Sequence, residues 1–82
     1  MDYHYPLNEL WSKDEIIDIV HFFSIIEKYY EKTATDTEIS SAYKRFKEIV
    51  PSKSEEKQYF NDFEIASGYK VYPVIKKTNE KT

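Results

Sequence analysis

The sequence predicts an all-α domain that spans residues 1–82. We expect a compact bundle of three main helices near 13–32, 36–50 and 53–67, with an extended N-terminal arm and a short C-terminal helix. In three segments apolar residues recur with the helical period, and a capping sequence precedes each segment. The single glycine and the three prolines of this 82-residue chain lie outside those segments. A chain of this length forms one domain.

The first helix begins with a capping box, in which the Ser12 hydroxyl and the Glu15 carboxylate each accept a hydrogen bond from the other residue's amide. Trp11 and Ile16 flank this cap and are spaced to pack on each other. The apolar face covers about half of the helix circumference, which is wider than the stripe of roughly 100° typical of a surface helix. It comprises Ile16, Ile19, Val20, Phe22, Phe23, Ile26, Tyr29 and Tyr30. We therefore expect this helix to be central, with two neighbours.

The second and third helices begin with capping boxes at residues 35–38 and 52–55. Pro51 ends the second helix because it disfavours helical geometry at Val50, and Gly68 is placed for a left-handed cap after the third. The apolar stripes comprise Ile39, Ala42, Tyr43, Phe46, Ile49 and Val50 in the second helix and Tyr59, Phe60, Phe63 and Ala66 in the third. From these stripes we expect a mutually packed core of Phe23, Ile26, Phe46, Ile49, Phe60 and Phe63.

The two ends of the chain are less regular. Residues 1–11 have neither a helical nor a strand period but are rich in tyrosine and leucine, so we interpret them as an arm packed across the helices. A short helix is expected at about 73–79, because proline is well tolerated at a first helical position. Residues 78–82 are polar and are expected to form a frayed tail.

Composition argues against several functional classes. Without cysteine the chain has neither disulfides nor thiolate metal sites. A net charge of −3 gives no electrostatic reason to expect a nucleic acid or an anionic membrane as partner. No apolar run approaches the roughly 20 residues that cross a bilayer, and the first residues lack a secretory signal pattern. We therefore expect a soluble, cytoplasmic protein that does not bind membranes.

Residues 42–58, AYKRFKEIVPSKSEEKQ, are the most distinctive segment of the chain. With Tyr5-Pro6-Leu7 and Trp11-Ser12 before it and Ala66-Ser67-Gly68-Tyr69 after it, this segment resembles uncharacterised protein family 0223. Those proteins are short and occur mainly in Bacillus-like Gram-positive bacteria. The resemblance covers nearly the whole chain and implies an all-helical, intracellular bacterial protein. It assigns no catalytic or binding residue, and Pro73 departs from the family's pattern.

Residues that catalyse reactions or bind metals are sparse. His4 and His21 are the only two histidines and lie in different elements, so they do not predict a metal site. No motif positions a serine nucleophile, and one glycine cannot form a phosphate-binding loop. We expect no catalytic residue, no metal and no cofactor, and therefore no enzymatic activity.

A basic face on the second helix is the candidate nucleic-acid surface, and it consists of Lys44, Arg45 and Lys47. The lysine-rich tail, residues 69–82, adds further positive charge. The third helix, which would enter a DNA groove, carries four acidic residues against two lysines. An acidic helix is poorly suited to a groove lined by phosphates.

Isoleucines on polar helix faces indicate a candidate partner surface. Ile17 and Ile25 lie on the polar side of the first helix, and Ile65 lies on that of the third. Tyr69 and Tyr72 lie outside the apolar stripes, and tyrosine is enriched at protein interfaces. Coverage of Ile17 and Ile25 by the N-terminal arm is the structural alternative.

These observations favour a small non-catalytic helical module that acts through protein–protein interaction, with an unknown protein partner or by self-association as a homo-oligomer. The alternative is an accessory nucleic-acid-binding or ribosome-associated protein. That function would use the basic face of the second helix and the lysine-rich tail.

Overall fold

In a computed structural model of the protein, residues 8–80 form four α-helices joined by short turns. The structure describes residues 8–80. The helices are α1 (Lys13–Tyr30), α2 (Asp36–Ile49), α3 (Lys53–Ser67) and α4 (Tyr72–Glu80). No strand occurs between residues 8 and 80. The predicted all-α fold is confirmed.

All three main helices begin where the capping sequences predict. α1 and α2 have complete capping boxes, with Ser12 and Thr35 as the N-cap residues. In each box the cap hydroxyl accepts a hydrogen bond of 3.2 Å from the amide three residues later. α3 has half of the predicted box, because the Ser52 hydroxyl accepts from the Glu55 amide at 3.4 Å without a return bond from the Glu55 carboxylate. Local capping therefore sets these three starts.

α1 ends two residues before the predicted end. Lys32 has a left-handed backbone with φ of 65°. The amide of Thr33 donates to the carbonyl of Lys28 at 2.8 Å, and the amide of Lys32 donates to the carbonyl of Tyr29 at 3.1 Å. This pair of bonds is a Schellman motif, which normally uses glycine at the left-handed position. A lysine occupies that position here, so the sequence does not mark the end of the helix.

The ends of α2 and α3 agree closely with the sequence. Val50, just before Pro51, caps α2 in a non-helical conformation, and its amide donates to the backbone carbonyl of Phe46 at 2.8 Å. Gly68 ends α3 with φ of 83°, and its amide donates to the backbone carbonyl of Glu64 at 2.7 Å. A proline-restricted residue and a left-handed glycine are the expected terminators of these helices.

α4 is longer than expected and is part of the core. It begins at Tyr72, so Pro73 lies in its first turn, where the missing amide costs no helical hydrogen bond. Thr78, predicted to start a frayed tail, is buried, and its hydroxyl donates to the Ile75 carbonyl at 3.0 Å. The prediction of a frayed tail is therefore wrong for residues 78–80. Residues 81–82 lie outside the described residues.

The part of the predicted arm that the structure describes packs against α3. Residues 8–11 form a turn and not the expected extended segment, because the Trp11 amide donates to the Asn8 carbonyl at 3.1 Å. Asn8 donates from Nδ2 to the Tyr59 hydroxyl at 3.3 Å, and the rings of Trp11 and Tyr59 lie 5.2 Å apart. The predicted packing of residues 1–7 lies outside the described residues.

A cluster of phenylalanine rings forms the centre of the core. Phe46 lies 4.9 Å from Phe22 and 5.1 Å from Phe60, and Phe23 stacks on Phe63 at 4.6 Å, measured between ring centroids. Five of the six predicted core residues are buried, and Ile49 is half-buried. Residues just before α4 and in its first turn complete the core: Val71, Val74 and Ile75.

Candidate functional site

A fully buried carboxylate, that of Glu56, lies among side chains from α2, α3 and α4. Its Oε1 accepts a hydrogen bond from the Tyr43 hydroxyl at 3.0 Å and lies 3.0 Å from Lys47 Nζ. Its Oε2 accepts from the Tyr72 hydroxyl at 2.9 Å and lies 3.9 Å from Lys53 Nζ. Both oxygens are therefore partnered, as a buried charge requires. We call these five residues the Glu56 cluster.

The Glu56 cluster shifts the pKa values of its members in opposite directions. Burial alone would raise the pKa of Glu56, but hydrogen bonds from Lys47, Tyr72 and Tyr43 outweigh it and hold that pKa below its ordinary value. Burial and then the bond to Glu56 raise the pKa of Tyr72 to about 12, and the same causes raise the pKa of Tyr43. At neutral pH the Glu56 cluster therefore contains a carboxylate and two neutral phenols.

Sequence reasoning missed the Glu56 cluster because it counted Glu56 among the solvated acids of α3. The signal was present in the spacing. Phe60 follows Glu56 by four residues and Phe63 follows it by seven, so the three side chains share one face of the helix. The carboxylate is sealed from solvent, which suits it to joining helices.

The predicted basic face is partly neutralised by carboxylates. Arg45 Nε lies 2.7 Å from Asp18 Oδ2 on α1, and its Nη1 lies 3.2 Å from Glu48 Oε1. Lys47 is directed to the buried carboxylate of Glu56. Lys44 is exposed. Two of the three cations thus contribute to packing between helices.

The structure separates the three isoleucines of the candidate partner surface. Ile17 is 55% exposed and Ile65 is 77% exposed, as expected for residues on polar faces. Ile25 is only 4% exposed, so the expectation that it faces solvent is wrong. It lies on the side of α1 that contacts α2, where the ion pair of Asp18 with Arg45 joins the two helices. The helical period alone does not reveal which polar-looking side a neighbouring helix covers.

Both tyrosines of the candidate partner surface are half-buried and take part in internal contacts. The ring of Tyr69 is stacked on that of Tyr30, with centroids 4.8 Å apart and planes 9° apart. Tyr72 donates its hydroxyl to Glu56 and packs edge-on against Phe60 at 5.0 Å. A third aliphatic side chain, Leu10, is 90% exposed, so the expectation that the leucines of the arm pack on the helices is wrong for this residue.

Open clefts interrupt the surface of the described helices. A cleft of about 390 Å³ between α1 and α2 has Ile25 and Ala42 in its lining and contains the Asp18–Arg45 ion pair and His21. A second cleft of about 510 Å³ lies between the end of α1 and α4. We call it the aromatic-lysine cleft, and its lining is Tyr29, Tyr30, Lys32, Ala34, Pro73, Val74 and Lys77.

Within residues 8–80, no three histidine or acidic side chains come together in a way that could hold a metal ion. His21 is exposed, whereas His4 lies outside the described residues. No helix in the described part of the chain is long and apolar enough to cross a membrane.

The sequence matches the Uncharacterised protein family (UPF0223) over residues 2–82. This chain belongs to the UPF0223 family. A UPF0223 protein of Oceanobacillus iheyensis is 59% identical to it over 80 residues, which cover 98% of this chain and 91% of that relative. A UPF0223 protein of Staphylococcus aureus strain Newman is 52% identical over 75 residues, or 92% of this chain and 82% of the relative. No solved structure matches the chain. The resemblance seen in residues 42–58 is therefore confirmed, and the family description brings no residue roles with it.

Proposed function

We propose that this UPF0223 chain is a small non-catalytic module that acts by binding another protein. The supporting observation is the exposure of three aliphatic side chains, Leu10 (90%), Ile17 (55%) and Ile65 (77%). Full burial of such a side chain is worth about 1.5–3 kcal/mol relative to exposure. A protein partner that covers any of them gains part of this free energy.

The ion pairs of α2 favour this function over the nucleic-acid alternative. Arg45 and Lys47 both lie within ion-pair distance of carboxylates. Cations that are already paired have less to gain from phosphate groups. The proposed non-catalytic character is supported by the Glu56 cluster, whose carboxylate is sealed from solvent and has both oxygens satisfied.

Substitution of the exposed isoleucines tests the proposal. Ile17→Lys or Ile65→Lys should weaken partner binding about tenfold, because a charge at a desolvated contact opposes the burial that stabilises it. Binding is measured by affinity capture from native cell extract with quantitative mass spectrometry, and self-association by analytical ultracentrifugation. Ser54→Lys is the matched control, because it adds the same charge at an exposed polar position of α3.

Circular dichroism and thermal unfolding should be nearly unchanged in all three variants, since each replaced side chain is exposed. If both isoleucine variants keep every partner and the same oligomeric state as the control, the proposed protein-binding surface is contradicted. Ile25→Lys is unsuitable for this test, because Ile25 is buried and a charge there would unfold the chain.

A further inference from the structure

The aromatic-lysine cleft has a composition that suits one class of ligand. We propose that it binds a small organic anion with an aromatic ring and a single phosphate or carboxylate group. Its volume of about 510 Å³ is within the range of small-molecule sites. This proposal is independent of the protein-binding function, because the cleft contains none of the exposed aliphatic residues discussed above.

Charge complementarity indicates an anion. Two lysines line the cleft, Lys32 after the end of α1 and Lys77 on α4, and both are exposed. No acidic residue is part of the lining, and Glu31 and Glu64 lie outside it. Ammonium groups at the edge of an otherwise apolar cleft attract an anion and leave the rest of the ligand to apolar contacts.

A rigid aromatic wall indicates that the anion carries a ring. Tyr30 is 41% exposed, yet two contacts hold it in place. Its hydroxyl donates to the carbonyl of Lys70 at 2.6 Å, and its ring is stacked on Tyr69 at 4.8 Å. An exposed ring that is already ordered loses little conformational freedom when a ligand packs on it.

The second tyrosine of the wall is close to one of the cations. Lys77 Nζ lies 5.9 Å from the centroid of the Tyr29 ring. Val74 and Ala34 add aliphatic surface to the same cleft. Cations and aromatic rings thus line the same cleft, which favours a single molecule having both an anionic group and a planar apolar part.

Titration with four probes, followed by amide chemical shifts in nuclear magnetic resonance spectra, tests this proposal. Phenyl phosphate and benzoate contain both the ring and the anion, inorganic phosphate contains the charge alone, and benzyl alcohol contains the ring alone. We expect phenyl phosphate or benzoate to shift amides near residues 30–34 and 73–77 in a saturable way. The two half-probes should bind about tenfold more weakly, because each lacks one set of contacts. Comparison of phenyl phosphate with benzoate identifies the preferred anionic group.

Matched lysine variants locate the contact. Lys77→Gln should weaken phenyl phosphate binding about three- to fivefold, the scale of one exposed charge pair. Lys76→Gln removes the same charge from the neighbouring exposed residue, which lies outside the lining, and should have little effect. Lys32→Asn should also weaken binding, while asparagine keeps the left-handed backbone accessible. Tyr30→Leu removes the ring and should weaken binding, and Tyr30→Phe should weaken it less, because phenylalanine keeps the ring but loses the bond to the Lys70 carbonyl.

Three results would overturn the proposal: equal affinity for phenyl phosphate and inorganic phosphate, equal effects of Lys77→Gln and Lys76→Gln, or shifts confined to other parts of the chain. Ile17→Lys and Ile65→Lys should leave phenyl phosphate binding unchanged. The proposed anion binding can therefore be contradicted whether or not the proposed protein binding is.

Discussion

Replacement of Phe46 by alanine is expected to lower the free energy of unfolding by about 3–5 kcal/mol. Phe46 is 1% exposed and lies within 4.9–6.5 Å of four other aromatic rings, measured between centroids. The alanine variant loses these contacts and leaves a cavity that the surrounding rings cannot fill completely. Urea unfolding followed by circular dichroism measures the change.

Ile17→Ala is the control for this measurement, because Ile17 is largely exposed. This substitution should change the free energy of unfolding by no more than about 0.5 kcal/mol. A loss of less than about 1 kcal/mol for Phe46→Ala would mean that the aromatic core is not packed as described.

Replacement of Glu56 by alanine is expected to cost about 3 kcal/mol. The change removes the acceptor of two partly buried phenol hydrogen bonds and the partner of Lys47. Glu56→Gln keeps most of the volume and one carbonyl oxygen, so it should cost less than the alanine substitution. Glu55→Gln, at the adjacent exposed position, should have little effect. Equal stability of the Glu56→Ala variant and the wild type would contradict the structural role of the Glu56 cluster.

The loss caused by Glu56→Gln should depend on pH. The pKa of Glu56 is lowered in the folded state, so its carboxylate contributes fully to stability above the ordinary glutamate value of about 4.5. That contribution is lost as the pH falls through the lower, folded-state pKa. The difference in free energy of unfolding between wild type and Glu56→Gln should therefore shrink as the pH is lowered from about 7 to about 3. A constant difference over that range would contradict the lowered pKa.

The starts of the helices could be predicted because their causes are local. A capping hydroxyl, the amide three residues later and the first apolar residue all lie within one turn of sequence. The end of α3 could be predicted for the same reason, since Gly68 marks the left-handed position. The end of α1 could not, because the equivalent position is occupied by Lys32.

The errors in the candidate site arise from contacts between helices. Ile25 has polar neighbours on α1, and the pattern of that helix alone does not show that it is buried. The burial of Glu56 similarly depends on Tyr43 and Lys47 of α2 and on Tyr72 of α4. A helical wheel gives the direction of a side chain from its own helix and not what lies in that direction. For Ile17 and Ile65 the direction given by the wheel agrees with the structure, since both are exposed.

The contact of Trp11 with Tyr59 gives the chain an optical reporter at a defined place. Trp11 is the only tryptophan, so its fluorescence reports the junction between the turn at residues 8–11 and α3. Far-ultraviolet circular dichroism instead averages over all four helices. If emission and helicity change together during unfolding, the junction and the bundle form one cooperative unit. If emission changes first, this junction opens before the helices melt.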